Sequence, residues 1–230
     1  MAFFGGTAMH LPISSRLLAC AALVAPGDRI ADIGCDHGYL SIYLLQKGIA
    51  CSAIAADINE GPLQSARRNG EKYGVAHKMS FHLSDGVCNV PRDFDTLICA
   101  GMGADTMISI LSNAPWLQNQ QYRLILQCQS KTPSLRQYLS QQGWQIVREA
   151  ILRDGRFLYT IMEVLWQPDA PRLTPQQWYF PPVLLNNPKP ELEEYHQRLV
   201  NRLRISVTGH AEQADSAEVE ALKYLESIVF

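Results

Sequence analysis

The stretch IADIGCDHGYL, Ile30 to Leu40, constrains this chain more than any other. Ile30, Ala31 and Ile33 suit a short strand buried on both faces. Asp32, Gly34 and Gly38 follow as acid-x-Gly-x-x-x-Gly, which reads as a tight turn leading into a helix. Gly34 can take a backbone conformation closed to other residues, and Gly38 lets another group come close to the chain. In doubly wound α/β folds, the first strand-to-helix turn is where a nucleotide-like ligand meets the backbone.

A dinucleotide fingerprint needs a second glycine where Asp36 stands. Asp32 and Asp36 together would repel a diphosphate, whereas a cationic ligand without phosphate would be tolerated. S-adenosylmethionine, with its sulfonium and ammonium, is such a ligand. A plain turn remains the alternative at this point.

The second strand, from Cys51 to Ala56, sharpens the choice because it runs into Asp57 and Ile58. A carboxylate at this strand tip can accept two hydrogen bonds from a ribose diol. Asp57 also sits three residues before Glu60, so a capping role is open to it as well. Met79 to Leu83 is a third strand, closed by Ser84-Asp85-Gly86. Asp85 can accept from an exocyclic amine there, and Gly86 leaves space for a ring. Phe94 to Ala100 is a fourth strand ending in Gly101-Met102-Gly103, where a planar substrate could lie against the backbone.

The intervening segments read as helices. Ser14 and Ser15 can cap one running to about Val24, with Arg16 either on the surface or aimed at the ligand mouth. His37 to about Lys47 is a second, and Gly61 to about Tyr73 a third. Arg67, Arg68 and Lys72 on the third form either a solvated face or an RNA contact. Ala104 to Leu111 follows the fourth strand, with Asp105 serving its N-terminus. Leu124 to Cys128 is a fifth strand, followed by a helix from Thr132-Pro133 to Gly143. Gln145 to Leu152 and Phe157 to Leu165 form a hairpin around Asp154-Gly155. The expected fold is therefore α/β: a doubly wound, mostly parallel, seven-stranded sheet of Rossmann-like methyltransferase type, with one antiparallel strand inserted near its end.

From Gln167 the character changes. Seven prolines between Pro168 and Pro190 read as an extended connector, packed locally by Trp178, Tyr179 and Phe180. Leu192, Tyr195, Leu199 and Leu203 then mark one amphipathic helix, broken at Gly209. Ala214, Ala217, Ala221, Leu222, Leu225 and Val229 mark a second, making an antiparallel pair. Arg198, Arg202 and Arg204 either face the acidic second helix and water or form an RNA-facing rim. The expected domains are 1–167, binding the cofactor, and 168–230, the connector and helical hairpin.

Net charge is −2 over 230 residues, so any nucleic-acid binding must come from a local patch. No Cys-x-x-Cys pair occurs among the six cysteines, which read as buried free thiols in a reducing compartment rather than a disulfide or zinc framework. The start lacks the pattern of a secretory leader, and no run of about 18 apolar residues suggests a membrane span. A cytoplasmic location is expected.

These pieces resemble the bacterial TrmK-like methyltransferases, which methylate N1 of the adenine at position 22 of tRNA. The resemblance rests on SSRLL, ADIGCDHGYL, ADINEGPLQSA, the SDG turn, CAGMGAD and the closing helical hairpin. It implies S-adenosyl-L-methionine as cofactor and tRNA as partner, with no metal; a monomer is favoured. The cofactor-binding candidates are Asp32, Gly34, Asp36, Gly38, Asp57, Ile58, Asp85, Gly86 and Gly101. Asp36, His37 and Arg16 are the catalytic candidates at the mouth. The family usually has Ser where Cys35 stands, Pro for Ser41, and Gly for Ala104, and Ala104 bears on substrate choice. Another RNA or a small molecule as acceptor is the alternative enzyme reading; a non-catalytic binding protein is the other.

Overall fold

The computed structural model describes residues 10–209, 216–228 and 230. The first residues of the leader reading, and Ala214 and Val229 of the second expected C-terminal stripe, lie outside these. Seven strands are seen among the described residues, and the sheet is mixed and mostly parallel, as expected. By its contacts the chain divides after Phe94 into two units.

The first unit opens with helix α1, Ser15–Ala21, whose N-terminus is capped as expected: the Leu17 amide donates to Ser14 Oγ at 3.3 Å. Strand β1 (Arg29–Ile33), helix α2 (Tyr39–Gln46), strand β2 (Ser52–Asp57), helix α3 (Glu60–Lys72) and strand β3 (Met79–Leu83) follow. The three strands are parallel in the order β3-β2-β1. Register pairs Asp32 with Ala55 and Asp57 with Leu83, so both acids lie at or near strand tips. Continuous burial along β1 and β2 explains their unbroken apolar character.

The second unit begins with strand β4 (Thr96–Met102), helix α4 (Ala104–Ser112), strand β5 (Arg123–Cys128) and helix α5 (Thr132–Gln141). Strands β6 (Trp144–Asp154) and β7 (Phe157–Trp166) form the expected hairpin. The order in this unit is β4-β5-β7-β6, with β4 and β5 parallel and β7 antiparallel to both its neighbours. Asp154 pairs with Phe157, so the central turn residues are Gly155 and Arg156 rather than Asp-Gly. Gly155 at φ +58° is the leading glycine of a two-residue hairpin turn.

The Pro-rich segment is more ordered than an extended connector. Pro175–Tyr179 is a short helix, α6, and Pro182–Asn186 is a 3-10 turn. Proline at a first helical position starts a helix rather than breaking one. The Gln177 side chain accepts the Thr174 amide at 3.0 Å, fixing that start. Phe180 and Leu184 are fully buried.

Helices α7 (Lys189–Gly209) and α8 (Ser216–Glu226) pair as expected, burying Leu192, Leu199, Val200 and Leu203 with Ala221 and Leu225. Ser206 meets Glu218 while His196 meets the Leu225 carbonyl, which sets the two helices antiparallel. The helices are stitched to β6. Asn187 donates to the Glu149 carbonyl at 2.7 Å and accepts the Ile151 amide at 2.7 Å. Arg136 is wholly buried and forks onto Glu149, with Nη2–Oε1 at 2.6 Å and Nε–Oε2 at 3.2 Å. It also donates to the Trp178 and Tyr179 carbonyls at 2.9 and 2.8 Å.

All six cysteines are free, but Cys51 and Cys88 are exposed, against the expectation of burial. Both lie at strand-entry or turn positions rather than inside the apolar runs. No helix among the described residues is long and apolar enough to cross a membrane.

Candidate functional site

In the first unit, the turn after β1 is tied to β2. The Gly34 and Cys35 amides both donate to the Ala56 carbonyl, at 2.8 and 3.0 Å. Gly34 lies at φ +70° and Asp36 at φ +51°, a left-handed conformation uncommon for a residue with a side chain. Gly38, at φ +71°, caps α2, but what comes close to it is protein: an added Cβ would sit 3.0 Å from the Ala66 Cβ of α3. The close approach expected at Gly38 is thus helix packing.

The Asp57 carboxylate holds this turn. One oxygen accepts the Asp36 amide at 3.3 Å and the other the Asn59 amide at 2.9 Å. The N-cap of α3 is Asn59, so Asp57 steadies the helix entrance without being its cap. Each oxygen keeps a further lone pair for a diol. Beside it Ile58 is 61% exposed, a large apolar side chain at a strand tip, suited to the face of an aromatic ring. Asp85 is exposed and Gly86 lies at φ +55°.

Asp32 is only 4% exposed and accepts the Ser41 hydroxyl at 2.8 Å. Burial pushes its pKa up to about 6; the Ser41 hydrogen bonds work against this, and the Asp57 charge adds to it. The Cys20 thiol is pushed up to about 12 by burial, with Arg16 lowering it and Asp32 raising it. Arg16, in the first turn of α1 and half-buried, therefore acts on the same neighbourhood as Asp32. Asp36 and His37 both project to solvent, with His37 Nε2 3.7 Å from Asp36 Oδ1. Asn69 fixes the His37 carbonyl at 2.9 Å.

Three carboxylates, an exposed aliphatic side chain and no lysine or arginine in the turn itself suit a cationic nucleoside. They do not suit a pyrophosphate, which wants glycine amides and positive charge.

In the second unit, Gly101 lies at φ +84° in a bulge where the β4–β5 register shifts. Its amide donates to Oε1 of the fully buried Gln127 at 3.0 Å. Gln127 is a residue the motif reading passed over. Its signal was a lone amide within the apolar run LILQC, since a buried polar side chain is kept for its hydrogen bonds. Ala104 is fully buried, so its methyl points into protein rather than into the substrate mouth.

Arg67 stacks on Phe81, its guanidinium carbon 4.6 Å from the ring centroid, and Arg204 pairs with Glu226 at 2.7 Å. The basic residues thus do not act as one set. Among the described residues no cluster of metal-binding side chains is found.

Fold and turn together define a class, and comparison gives the same class: a family model described as "Methyltransferase domain" matches residues 13–162. The tRNA (adenine(22)-N(1))-methyltransferase of Bacillus subtilis is 32% identical over 154 residues, covering 66% of this chain and 65% of that protein, just under two thirds of its length. The structure of Sp1610 from Streptococcus pneumoniae with S-adenosyl-L-methionine superposes with a TM-score of 0.81 at 30% identity, covering 93% of this chain and 98% of that one. The structure of M. capricolum TrmK with S-adenosyl-homocysteine gives a TM-score of 0.77 at 26% identity, covering 96% and 100%. The chain belongs to the TrmK family of tRNA (m1A22) methyltransferases.

Proposed function

We propose that this chain transfers a methyl group from S-adenosyl-L-methionine to N1 of an adenine in tRNA, the adenine at position 22 by its family. The observation that carries the reading is the Asp57 carboxylate, which holds the left-handed Asp36 turn while keeping lone pairs for a ribose. Asp57 takes the ribose hydroxyls, Ile58 and the Asp85-Gly86 turn take the adenine, and Asp32, Gly34, Asp36 and Gly38 form the turn facing the cationic end. The bound cofactor supplies an electrophilic methyl on a sulfonium. Gly101 is a further cofactor contact.

Adenine N1 carries its lone pair in the ring plane and needs no general base. The tasks left to the protein are orientation and stabilisation of the positive charge that appears on the base. Asp36 stabilises that charge and His37 orients Asp36. Arg16 pairs with Asp36 or holds a phosphate. The segment 168–230 selects the target, and the protein works where tRNA is, in the cytoplasm.

The test is transfer from methyl-labelled cofactor into bulk tRNA, followed by nucleoside analysis. N1-methyladenosine is the expected product. Label confined to small molecules, or binding without transfer, would overturn the reading.

A further inference from the structure

The second unit holds a cavity of about 270 Å³ that none of the site residues lines. This is near the lower limit for small-ligand sites. Its walls are the chain after β5, the start of β7 and one face of α7. Lys131, Arg198 and Arg202 contribute cations, Phe157, Tyr159 and Tyr195 contribute rings, and no carboxylate lines it.

The cations are unequally committed. Lys131 reaches Asp105 at 2.6 Å in a pair exposed on both sides, which solvent weakens. Arg198 pairs with Glu194 at 2.6 Å. Arg202 is exposed and makes no ion pair among the described residues. On β7, Phe157 and Tyr159 stand two residues apart and so share a face, their ring centroids 6.0 Å apart at 37°. Phe157 is half exposed, and the Arg156 guanidinium lies 5.0 Å from its ring centroid. Thr160, which also lines the cavity, has a buried hydroxyl without a hydrogen-bond partner. A cation with no ion pair among the described residues, Arg202, beside an exposed ring, Phe157, is what single-stranded nucleic acid uses: phosphate on the former, a base on the latter.

One wall of the cavity is bonded to the Gly101 loop. The Gln129 amide donates to the Met102 carbonyl at 2.9 Å, and the Ala104 amide to the Ser130 carbonyl at 3.1 Å. We propose that this cavity binds a nucleotide of the RNA substrate other than the target adenine, its phosphate on Arg202 and Lys131 and its base against Phe157 and Tyr159. The proposal rests on the tRNA reading above and adds a second point of grip.

The experiment compares full-length wild type with Arg202→Ala and Phe157→Ala. Each is measured for S-adenosyl-homocysteine affinity, thermal midpoint, methyl transfer to tRNA, and tRNA affinity from 50 to 200 mM salt. Both variants should keep the cofactor affinity and thermal midpoint of wild type while tRNA binds about tenfold more weakly, the scale of one lost base stack or phosphate contact. Arg202→Ala should also reduce the salt slope of log Kd by about one; Phe157→Ala should leave it unchanged. Methyl transfer by wild type, with both variants binding tRNA as tightly as wild type, overturns the cavity alone. A wild type that does not methylate tRNA overturns both readings. Saturable binding of AMP that needs Phe157 and Arg202, without loss of tRNA affinity in the variants, assigns the cavity to a free nucleotide and also overturns the proposal.

Discussion

The amide of Asp36 donates to the carboxylate of Asp57 across 3.3 Å, so the residue assigned to the reacting base is positioned by the residue assigned to the ribose. The two roles should separate on mutation. Asp36→Ala should keep S-adenosyl-homocysteine affinity within a few-fold while turnover falls by about two orders of magnitude, as for loss of one electrostatic group. Asp57→Ala should lose both, because the turn loses its acceptor along with the ribose contact. Calorimetry and single-turnover assays check this; unchanged turnover in Asp36→Ala removes it from the chemistry.

Asp32 gives the site a pH signature. With a pKa of about 6 it is partly protonated near pH 6, and a cation bound beside it favours the ionised form. Affinity for S-adenosyl-homocysteine should therefore rise through pH 6, level off above about pH 7, and be accompanied by proton release seen as buffer-dependent heat. A flat profile from pH 5 to 7.5 would contradict this. Stability should move oppositely. The unfolded chain loses this proton near pH 3.8 while the fold keeps it to about 6, so this group's contribution declines between those values. Asp32→Asn should raise stability at pH 7.5 by up to about 2 kcal/mol and weaken cofactor binding.

Gln127→Leu should act on the Gly101 bulge. Its loss leaves the Gly101 amide without an acceptor, costing about 1–3 kcal/mol in urea unfolding. Gln127→Glu keeps the acceptor and should restore more of the tRNA kcat/KM than Leu does. Cofactor affinity and tRNA kcat/KM, measured together, distinguish a displaced loop from general loosening.

The Arg136–Glu149 fork is fully buried. Arg136→Met strands a carboxylate and should cost about 3–5 kcal/mol. Arg136→Met with Glu149→Leu should recover part of that, but not all, since the Trp178 and Tyr179 carbonyls still lack a donor. Urea melts of the two single variants and the double variant provide the cycle.

The sheet and its acid-bearing turns were legible because their signals are local: apolar runs such as Ala53–Ala56, then an acid or glycine where the run stops. What escaped depended on distance. Gly38 is small for the sake of Ala66 of α3, which no local pattern reveals. Gln127 carries no local motif, because its partner, the Gly101 amide, is 26 residues away on the neighbouring strand. The prolines between Pro168 and Pro190 read as an extended connector, although Pro175 sits where proline begins a helix. The cavity residues are spread from Lys131 to Arg202, so only the folded β5–β7–α7 arrangement gathers them. The trio Arg198, Arg202 and Arg204 looked alike in sequence, yet Arg204 is spent on Glu226.

The buried guanidinium of Arg136 has a bearing on how relatives could exchange parts. Its carboxylate partner is in β6, while its carbonyl partners lie beyond residue 168. A chimera that grafts only the tail from another family member would bring foreign backbone to an unchanged donor. Transplants of target preference should therefore keep α5, β6 and the tail from one parent, and a junction ahead of Thr132 should yield folded hybrids where one at 168 does not.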